Sequence, residues 1–417
     1  MEKFIVKGEV RLTGNIRISG AKNSILPIMA ATLLSSGVSI IHDIPYLSDI
    51  KVMEDILVLL GAKITRENST LLIDTSTIQE KAIPEQLMRE MRASVFLMGP
   101  LLGKFHKVRI SYPGGCAIGP RPIDLHIKAL EKIGARVQEG FGFIEARAEE
   151  LIGAEINFDY PSVGATENAM MASVLAKGLT IIRNAAREPE IYDLQVFLNK
   201  MGAHITGAGT DTIRIYGSNK LMPVEHTVMS DRIQAGTFLM AAAITRGDIL
   251  VENILIEHLF SVIDKLKDMG AEVKVEGKGI RIKANNLSGV DIKTLPYPGF
   301  PTDLQAPMLS LATIAAGTSI ITETIFENRF KHVNELIRMG ANIKVEGRTA
   351  IIRGIPKLTG AVLAATDLRA GGALVLASLA AEGISEIENV YHIDRGYEAL
   401  EEKLQSLGAH IARRKMD

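Results

Sequence analysis

Six times along this chain an apolar residue is followed by Gly-Ala and then by a short alternating stretch: LLGAKI, KIGARV, KMGAHI, DMGAEV, RMGANI and SLGAHI. The glycines are Gly61, Gly134, Gly202, Gly270, Gly340 and Gly408, so the intervals are 73, 68, 68, 70 and 68 residues. A fixed period of this size means one supersecondary unit used repeatedly, and any fold assigned to the chain must contain six copies of it. A second marker keeps step with the first. AATLLSSGVSII, MGPLLGKFHKVRI, ASVLAKGLTII, AAAITRGDILV, LATIAAGTSII and ASLAAEGISEI each read as a buried helix, a turn and a strand.

The third copy shows the unit best. YPSVGATENAMMASVLAKG is a small-residue apolar helix, LTIIRNAA a strand, and YDLQVFLNKMGA an amphipathic helix; HITGAGTDTIRIYG then alternates as a hairpin. Each unit is therefore helix, strand, helix and two strands, with room for a further strand in the connection. The Ala/Met/Leu-rich helix is apolar almost all round and is expected inside; its companion has a polar face and is expected outside. The fold class is α/β (α+β).

At 417 residues the chain is long for one core, and six units fit two domains of three units each. After Gly408 only AHIARRKMD remains, one strand with no return, while FIVKGEVRLTGNIRI offers strands before the first buried helix. The N-terminal segment is thus expected to complete the sixth unit. That gives an N-terminal domain of 21–228 and a C-terminal domain of 1–20 plus 229–417. Crossings near 19–22 and 228–231 would form a hinge, with the cleft between the halves as the natural ligand site.

Lys+Arg total 47 against Asp+Glu 48, so no net field favours nucleic acid or an anionic membrane, and neither partner is expected. The single Cys excludes internal disulfides and multi-thiolate metal sites. The histidines show no metal-ligand spacing, so no metal is expected and they read as structural; Glu188, Glu190 and Glu257 read as solvated or ion-paired. MEKFIVKGEV is unlike a signal peptide, and no apolar run reaches the ~18–20 residues of a membrane helix. A cytoplasmic location is expected.

The lone cysteine lies in YPGGCAIGPRPIDLH, residues 112–126. Gly114 and Gly115 let the backbone approach a ligand, and Pro113, Pro120 and Pro122 exclude a continuous helix or an inner strand. The stretch is either a plain connection around an inert Cys116 or a lid with a reactive thiol at its tip. Charged and polar residues recur at two other places in the unit. Lys22-Asn23, Arg92, Thr166-Glu167-Asn168, Asp231-Arg232, Asp303, and Asp367 with Arg369 stand at starts of the buried helix. Arg121, Arg329 and Arg395 stand at the turn into the outer one. If the buried helices of a domain run parallel, their N-termini gather at one end, which attracts anions. Arginines added there suit a ligand with several phosphate or carboxylate groups. Taken singly, each has a plainer reading: an aspartate after Thr302 or Thr366 is more often a helix cap, and a lone arginine a surface ion pair.

PGGCAIGPRPIDLH, SGAKNS, YPSVGATEN, FPTDLQAP and TDLRAGGAL together resemble the enolpyruvyl transferases, and among them the UDP-N-acetylglucosamine 1-carboxyvinyltransferases. The resemblance runs from Lys22 to Arg395. It implies two similar domains, each of three βαβαββ units around buried helices, an inside-out α/β barrel with both chain ends in the second domain. It further implies transfer of enolpyruvate from phosphoenolpyruvate to the 3′-hydroxyl of UDP-N-acetylglucosamine, with release of phosphate through a tetrahedral ketal, at the first committed step of peptidoglycan synthesis. Cys116 matches the lid cysteine that donates a proton and carries a phosphoenolpyruvate-derived adduct; no other cofactor is implied. Asp303 matches the base for the 3′-hydroxyl. Lys22, Arg121 and Arg395 match the phosphate clamp, and Arg329 and Arg369 the carboxylate side. Asn23, Arg92 and Asp367 match further cleft positions. Arg121, Pro122, Ile123, Asp124, Leu125, Ser162, Val163, Gly164, Asp303 and Ile325 match the nucleotide-sugar contacts. Two rival readings stand beside this one: a 3-phosphoshikimate 1-carboxyvinyltransferase, a family that lacks the cysteine loop, and a repeat scaffold without catalysis.

Overall fold

The structure of the protein, a computed structural model, describes residues 2–112 and 122–415. The recurring Gly-Ala is a helix stop. All six glycines have φ between 93° and 106°, the left-handed conformation in which a side chain is strained and glycine is not. In every copy the next residue donates its N–H five residues back: Ala62 to Leu57, Ala135 to Leu130, Ala203 to Leu198, Ala271 to Leu266, Ala341 to Leu336 and Ala409 to Leu404. This is the Schellman closure, which satisfies a carbonyl that the helix end leaves open. The alanines are buried, so a small side chain is needed where the chain reverses into the hairpin.

The helices closed in this way are the outer ones: Ser48–Leu59, Asp124–Lys132, Pro189–Lys200, Phe260–Asp268, Val333–Arg338 and Leu400–Ser406. The inner helices are Lys22–Ala31, Met98–Phe105, Val163–Ser173, Arg232–Ile244, Gln305–Ala312 and Leu368–Ala380, buried along nearly their whole length. Their lack of a polar face leaves them no stable place except between layers. The second and fifth are entered through the 3-10 turns Arg92–Leu97 and Thr302–Leu304.

Six separate sheets cover these helices. In the third unit Glu155–Asn157 runs parallel to Leu179–Arg183, which is antiparallel to Thr212–Tyr216. The optional strand of the connection is thus real, and five sheets have four strands. The second unit has three, Lys107–Ser111, Phe143–Arg147 and Arg136–Gly140; before it, where the others carry the parallel strand, comes the short helix Glu85–Glu90. Glu225–Thr227, after the third unit, pairs with Val38–His42 of the first. The N-terminal strands serve two units. Glu2–Lys7 lies between Ile384–Glu388 and His410–Lys415, completing the sixth, and Thr13–Arg17 runs parallel to Asp248–Glu252 of the fourth.

The chain divides into two compact units, one built from 2–19 and 230–415, the other from 20–112 and 122–229. Each has its own apolar core. In the first, the helices Arg232–Ile244, Gln305–Ala312 and Leu368–Ala380 pack on one another, so helices lie inside and sheets outside. No described helix is long and apolar enough to cross a membrane.

Candidate active site

The three aspartates at inner-helix starts in the C-terminal unit do different things. Asp231 accepts from the N–H groups of Ile233 and Gln234, and Asp367 from those of Arg369 and Ala370. Both are N-caps. Asp303 caps nothing. It sits inside the 3-10 turn, and its carboxylate lies in a fork of two arginines. Arg329 Nη2 donates to Oδ1 at 2.7 Å, while Arg369 donates to Oδ2 from Nη2 at 3.0 Å and Nε at 3.3 Å. The arginine side chains are 4% and 2% exposed and that of Asp303 is 25% exposed. Burial alone would push the Asp303 carboxyl up, but the Arg369 and Arg329 guanidiniums outweigh it and hold the group well below the usual carboxylate range.

This fork keeps unused capacity. Arg329 Nε and Arg369 Nη1 are buried and, among the described residues, have no hydrogen-bond partner. Two buried guanidiniums around one carboxylate, with two donors left over, form a site able to take a further anion. Arg329 Nη1 is also held, donating to Thr302 Oγ1 at 3.1 Å. Nearby, His332 is wholly buried. Burial and Arg329 lower it to about 4 against the opposing pull of Asp367, so it is neutral at physiological pH. Ile325 lies in the turn after Thr318–Thr322 and donates its N–H to Glu323. Arg395 ends the 3-10 turn Val390–Arg395 and is half-buried.

The N-terminal unit carries a second cluster. Lys22 is the first residue of its helix, where a cation opposes the helix dipole. Asp49, from the first turn of the outer helix, offsets this with a buried ion pair of 2.6 Å to Nζ. Asn23 follows Lys22, and Arg92 opens the 3-10 turn; both are half-buried. Ser162 caps Val163–Ser173 by accepting from Ala165 N–H. A Cβ on Gly164 would stand 3.0 Å from the His126 ring and 3.2 Å from that of Phe96, so the glycine permits a close approach. His126 in turn shares a 2.7 Å hydrogen bond with Asn168, which also accepts from Gly99 N–H and donates to Val95 C=O. These contacts join the helices Asp124–Lys132 and Val163–Ser173. Pro122 and Asp124 are exposed, Leu125 half-buried and Ile123 buried. Cys116 and Arg121 lie outside the described residues.

Glu190 and Glu167 are both buried. Among the described residues neither Glu167 oxygen has a hydrogen-bond partner. Burial, with Glu190 and Glu188 close by, pushes its carboxyl well up. Sequence reasoning missed Asp49, Thr302 and Glu323. Nothing local marks them, because each acts on a residue of another element. Among the described residues no group of three or more His, Cys, Asp or Glu could hold a metal ion.

Comparison with known proteins places this architecture. The family model for EPSP synthase (3-phosphoshikimate 1-carboxyvinyltransferase) matches residues 6–404. The chain is 56% identical over 413 residues, 99% of both chains, to UDP-N-acetylglucosamine 1-carboxyvinyltransferase 1 of Caldanaerobacter subterraneus subsp. tengcongensis. It is likewise 56% identical to the protein of the same name from Symbiobacterium thermophilum, covering 99% of this chain and 95% of that one. Among solved structures, the enolpyruvyl transferase NikO from Streptomyces tendae superposes with a TM-score of 0.90 at 26% identity, covering 99% of this chain and 98% of that one.

Proposed function

Since the chain belongs to the EPSP synthase (3-phosphoshikimate 1-carboxyvinyltransferase) family of enolpyruvyl transferases, we propose that it transfers enolpyruvate from phosphoenolpyruvate to the 3′-hydroxyl of UDP-N-acetylglucosamine, releasing phosphate. The choice of nucleotide-sugar over shikimate 3-phosphate is supported by the names of relatives 56% identical over nearly the whole chain, and by the cysteine loop. The structural observation that carries the reading is the buried Arg329–Asp303–Arg369 fork with its two unmet donors. The reaction would belong to peptidoglycan synthesis, in the cytoplasm.

Addition moves two protons and elimination one. The 3′-oxygen bonds to C2 of phosphoenolpyruvate and its proton passes to Asp303, while C3 gains a proton from the Cys116 thiol. The tetrahedral ketal then returns a proton from C3 to the thiolate left on Cys116, and its C2–O bond to phosphate breaks, restoring the vinyl group. Lys22, Arg121 and Arg395 would hold the phosphate; Arg329 and Arg369 would hold the carboxylate. Asn23, Arg92 and Asp367 would complete the surroundings of the reacting atoms. Pro122 to Leu125, Ser162 to Gly164 and Ile325 would position the nucleotide-sugar. Cations fixed in advance around a developing anion need no reorganisation during the reaction, which is the largest contribution a site of this kind makes.

One feature of the geometry gives the base its control. A carboxylate clamped by two guanidiniums is a poor proton acceptor. Phosphoenolpyruvate also brings a carboxylate, of the same charge and shape as the Asp303 group that the arginines already hold. Its arrival would take over the fork and release Asp303 with a higher pKa, so the base becomes active when its co-substrate is present. The test is phosphate release from phosphoenolpyruvate with UDP-N-acetylglucosamine or shikimate 3-phosphate as acceptor, in wild type and Cys116→Ser. Release with the nucleotide-sugar alone, reduced strongly in the variant, is expected. Release with shikimate 3-phosphate alone overturns the proposal.

A further inference from the structure

We propose that Glu323, acting through Thr302, is a positioning residue for this reaction: it keeps Arg329 in place when Asp303 turns away to accept a proton. The inference rests on the function proposed above.

Glu323 follows the strand Thr318–Thr322 and is 1% exposed. Four donors satisfy its carboxylate. Oε1 accepts from Ile325 N–H at 2.8 Å, Phe326 N–H at 3.1 Å and the Thr294 hydroxyl at 3.0 Å, and Oε2 accepts from the Thr302 hydroxyl at 2.8 Å. The turn carrying it is itself fastened down, because Thr324 N–H donates to Thr294 Oγ1 and the Thr324 hydroxyl donates to Thr294 C=O. Glu323 is therefore a fixed point.

Its link to the site has a direction. The single Thr302 hydroxyl proton goes to Glu323, which leaves a lone pair facing Arg329 Nη1 at 3.1 Å. The chain runs Arg329 to Thr302 to Glu323, and the negative end strengthens the first bond by polarising the hydroxyl. Arg329 thus has two anchors, Asp303 on Nη2 and Thr302 on Nη1. Asp303 is its only carboxylate partner among the described residues, and Asp303 is the group that must let go. A guanidinium with 4% exposure and no remaining hydrogen bond, left with only the Phe326 ring at 5.2 Å, would follow the departing carboxylate and keep it a poor base. Held by Thr302, it stays to receive the carboxylate of phosphoenolpyruvate. Both guanidiniums face a ring, Arg329 at 5.2 Å from the Phe326 centre and Arg369 at 5.3 Å from the Tyr397 centre, so the Thr302 hydrogen bond is what distinguishes Arg329.

A purely local role for Glu323, closing the turn at Ile325 and Phe326, predicts nothing for Thr302. The decisive variant is therefore Thr302→Val, which removes the hydroxyl and leaves the turn bonds intact. Steady-state kinetics are read with both substrates, together with calorimetric binding of phosphoenolpyruvate in the presence of UDP-N-acetylglucosamine. Expected are a KM and Kd for phosphoenolpyruvate raised roughly tenfold, as for loss of one hydrogen bond to a charged group. KM for UDP-N-acetylglucosamine should stay within twofold, and Thr302→Ser should restore wild-type values. Glu323→Gln, which sets an amide N–H₂ against the Thr302 hydroxyl, should move the same constants in the same direction. An unchanged phosphoenolpyruvate constant in Thr302→Val overturns the inference, as does equal impairment in Thr302→Ser. If Thr302→Val does not fold, Thr302→Ala is read against Thr302→Ser by the same criteria. A wild type that releases no phosphate with UDP-N-acetylglucosamine defeats the proposed function instead, and the binding constants still decide the part assigned to Thr302.

Discussion

Replacing Asp303 by Asn removes the carboxylate that, among the described residues, pairs with both Arg329 and Arg369. Both guanidiniums are nearly buried, and removing one partner of a buried ion pair costs about 3–5 kcal/mol. Asp303 keeps a quarter of its side chain exposed and Asn still accepts one hydrogen bond, so the low end, about 3 kcal/mol, applies. The affected unit has about 200 residues, for which 1 kcal/mol moves Tm by about 2–4 °C, giving a fall of roughly 6–12 °C. The vacated fork should then welcome a substitute anion. Differential scanning calorimetry at pH 7 and low salt, with and without phosphoenolpyruvate, reads both effects. The expected result is a lowered Tm that phosphoenolpyruvate raises further in the variant than in wild type, with turnover reduced about 10²–10⁴-fold by loss of the general base. A Tm within 1 °C of wild type, or equal stabilisation of both proteins by the ligand, would refute the fork as an exchangeable carboxylate site.

Other perturbations test separate parts of the account. Glu167 has a folded-state pKa raised above its unfolded value, so its burial costs nothing below about pH 4.3 and increasingly destabilises as pH rises through that value toward the folded pKa. Glu167→Gln should raise Tm at pH 8 and leave it unchanged near pH 4 in thermal melts. His332 behaves oppositely: with its pKa down at about 4, stability present above about pH 6.5 is lost as pH falls toward 4, by up to about 3 kcal/mol. A His332→Asn variant should show a flatter dependence in urea unfolding across that range. Gly340 has φ of 93° and nothing within 4 Å of an added Cβ, so Gly340→Ala isolates backbone strain. It should cost about 1–2 kcal/mol in the same unfolding assay.

The repeat was legible because it rests on local chemistry. A left-handed glycine and a buried alanine are needed wherever an outer helix stops, so the same dipeptide recurs at the same spacing. Inner helices were legible from their lack of a polar face. The site was harder to read, and two tripeptides show why. Thr302-Asp303-Leu304 and Thr366-Asp367-Leu368 are the same in sequence. Asp367 is followed directly by an α-helix and caps it, whereas Asp303 is wound into a 3-10 turn that aims its carboxylate at two arginines. Nothing within the tripeptide separates the outcomes; the partners, 26 and 66 residues away, decide. Lys22 was visible but its counter-ion Asp49 was not, since the pair joins two helices. Glu167 reads as one more charge at a helix start, and only its depth in the core pushes its carboxyl up.

The central claim is that this chain joins an enolpyruvyl group to the 3′-oxygen of UDP-N-acetylglucosamine. Proton NMR of the nucleotide-sugar after incubation with phosphoenolpyruvate and the wild-type protein tests it directly. The account predicts a new pair of vinylic proton signals and a shifted sugar H3, with one phosphate released per vinyl group formed. An unchanged nucleotide-sugar spectrum, with vinyl ether appearing on shikimate 3-phosphate in its place, would contradict it.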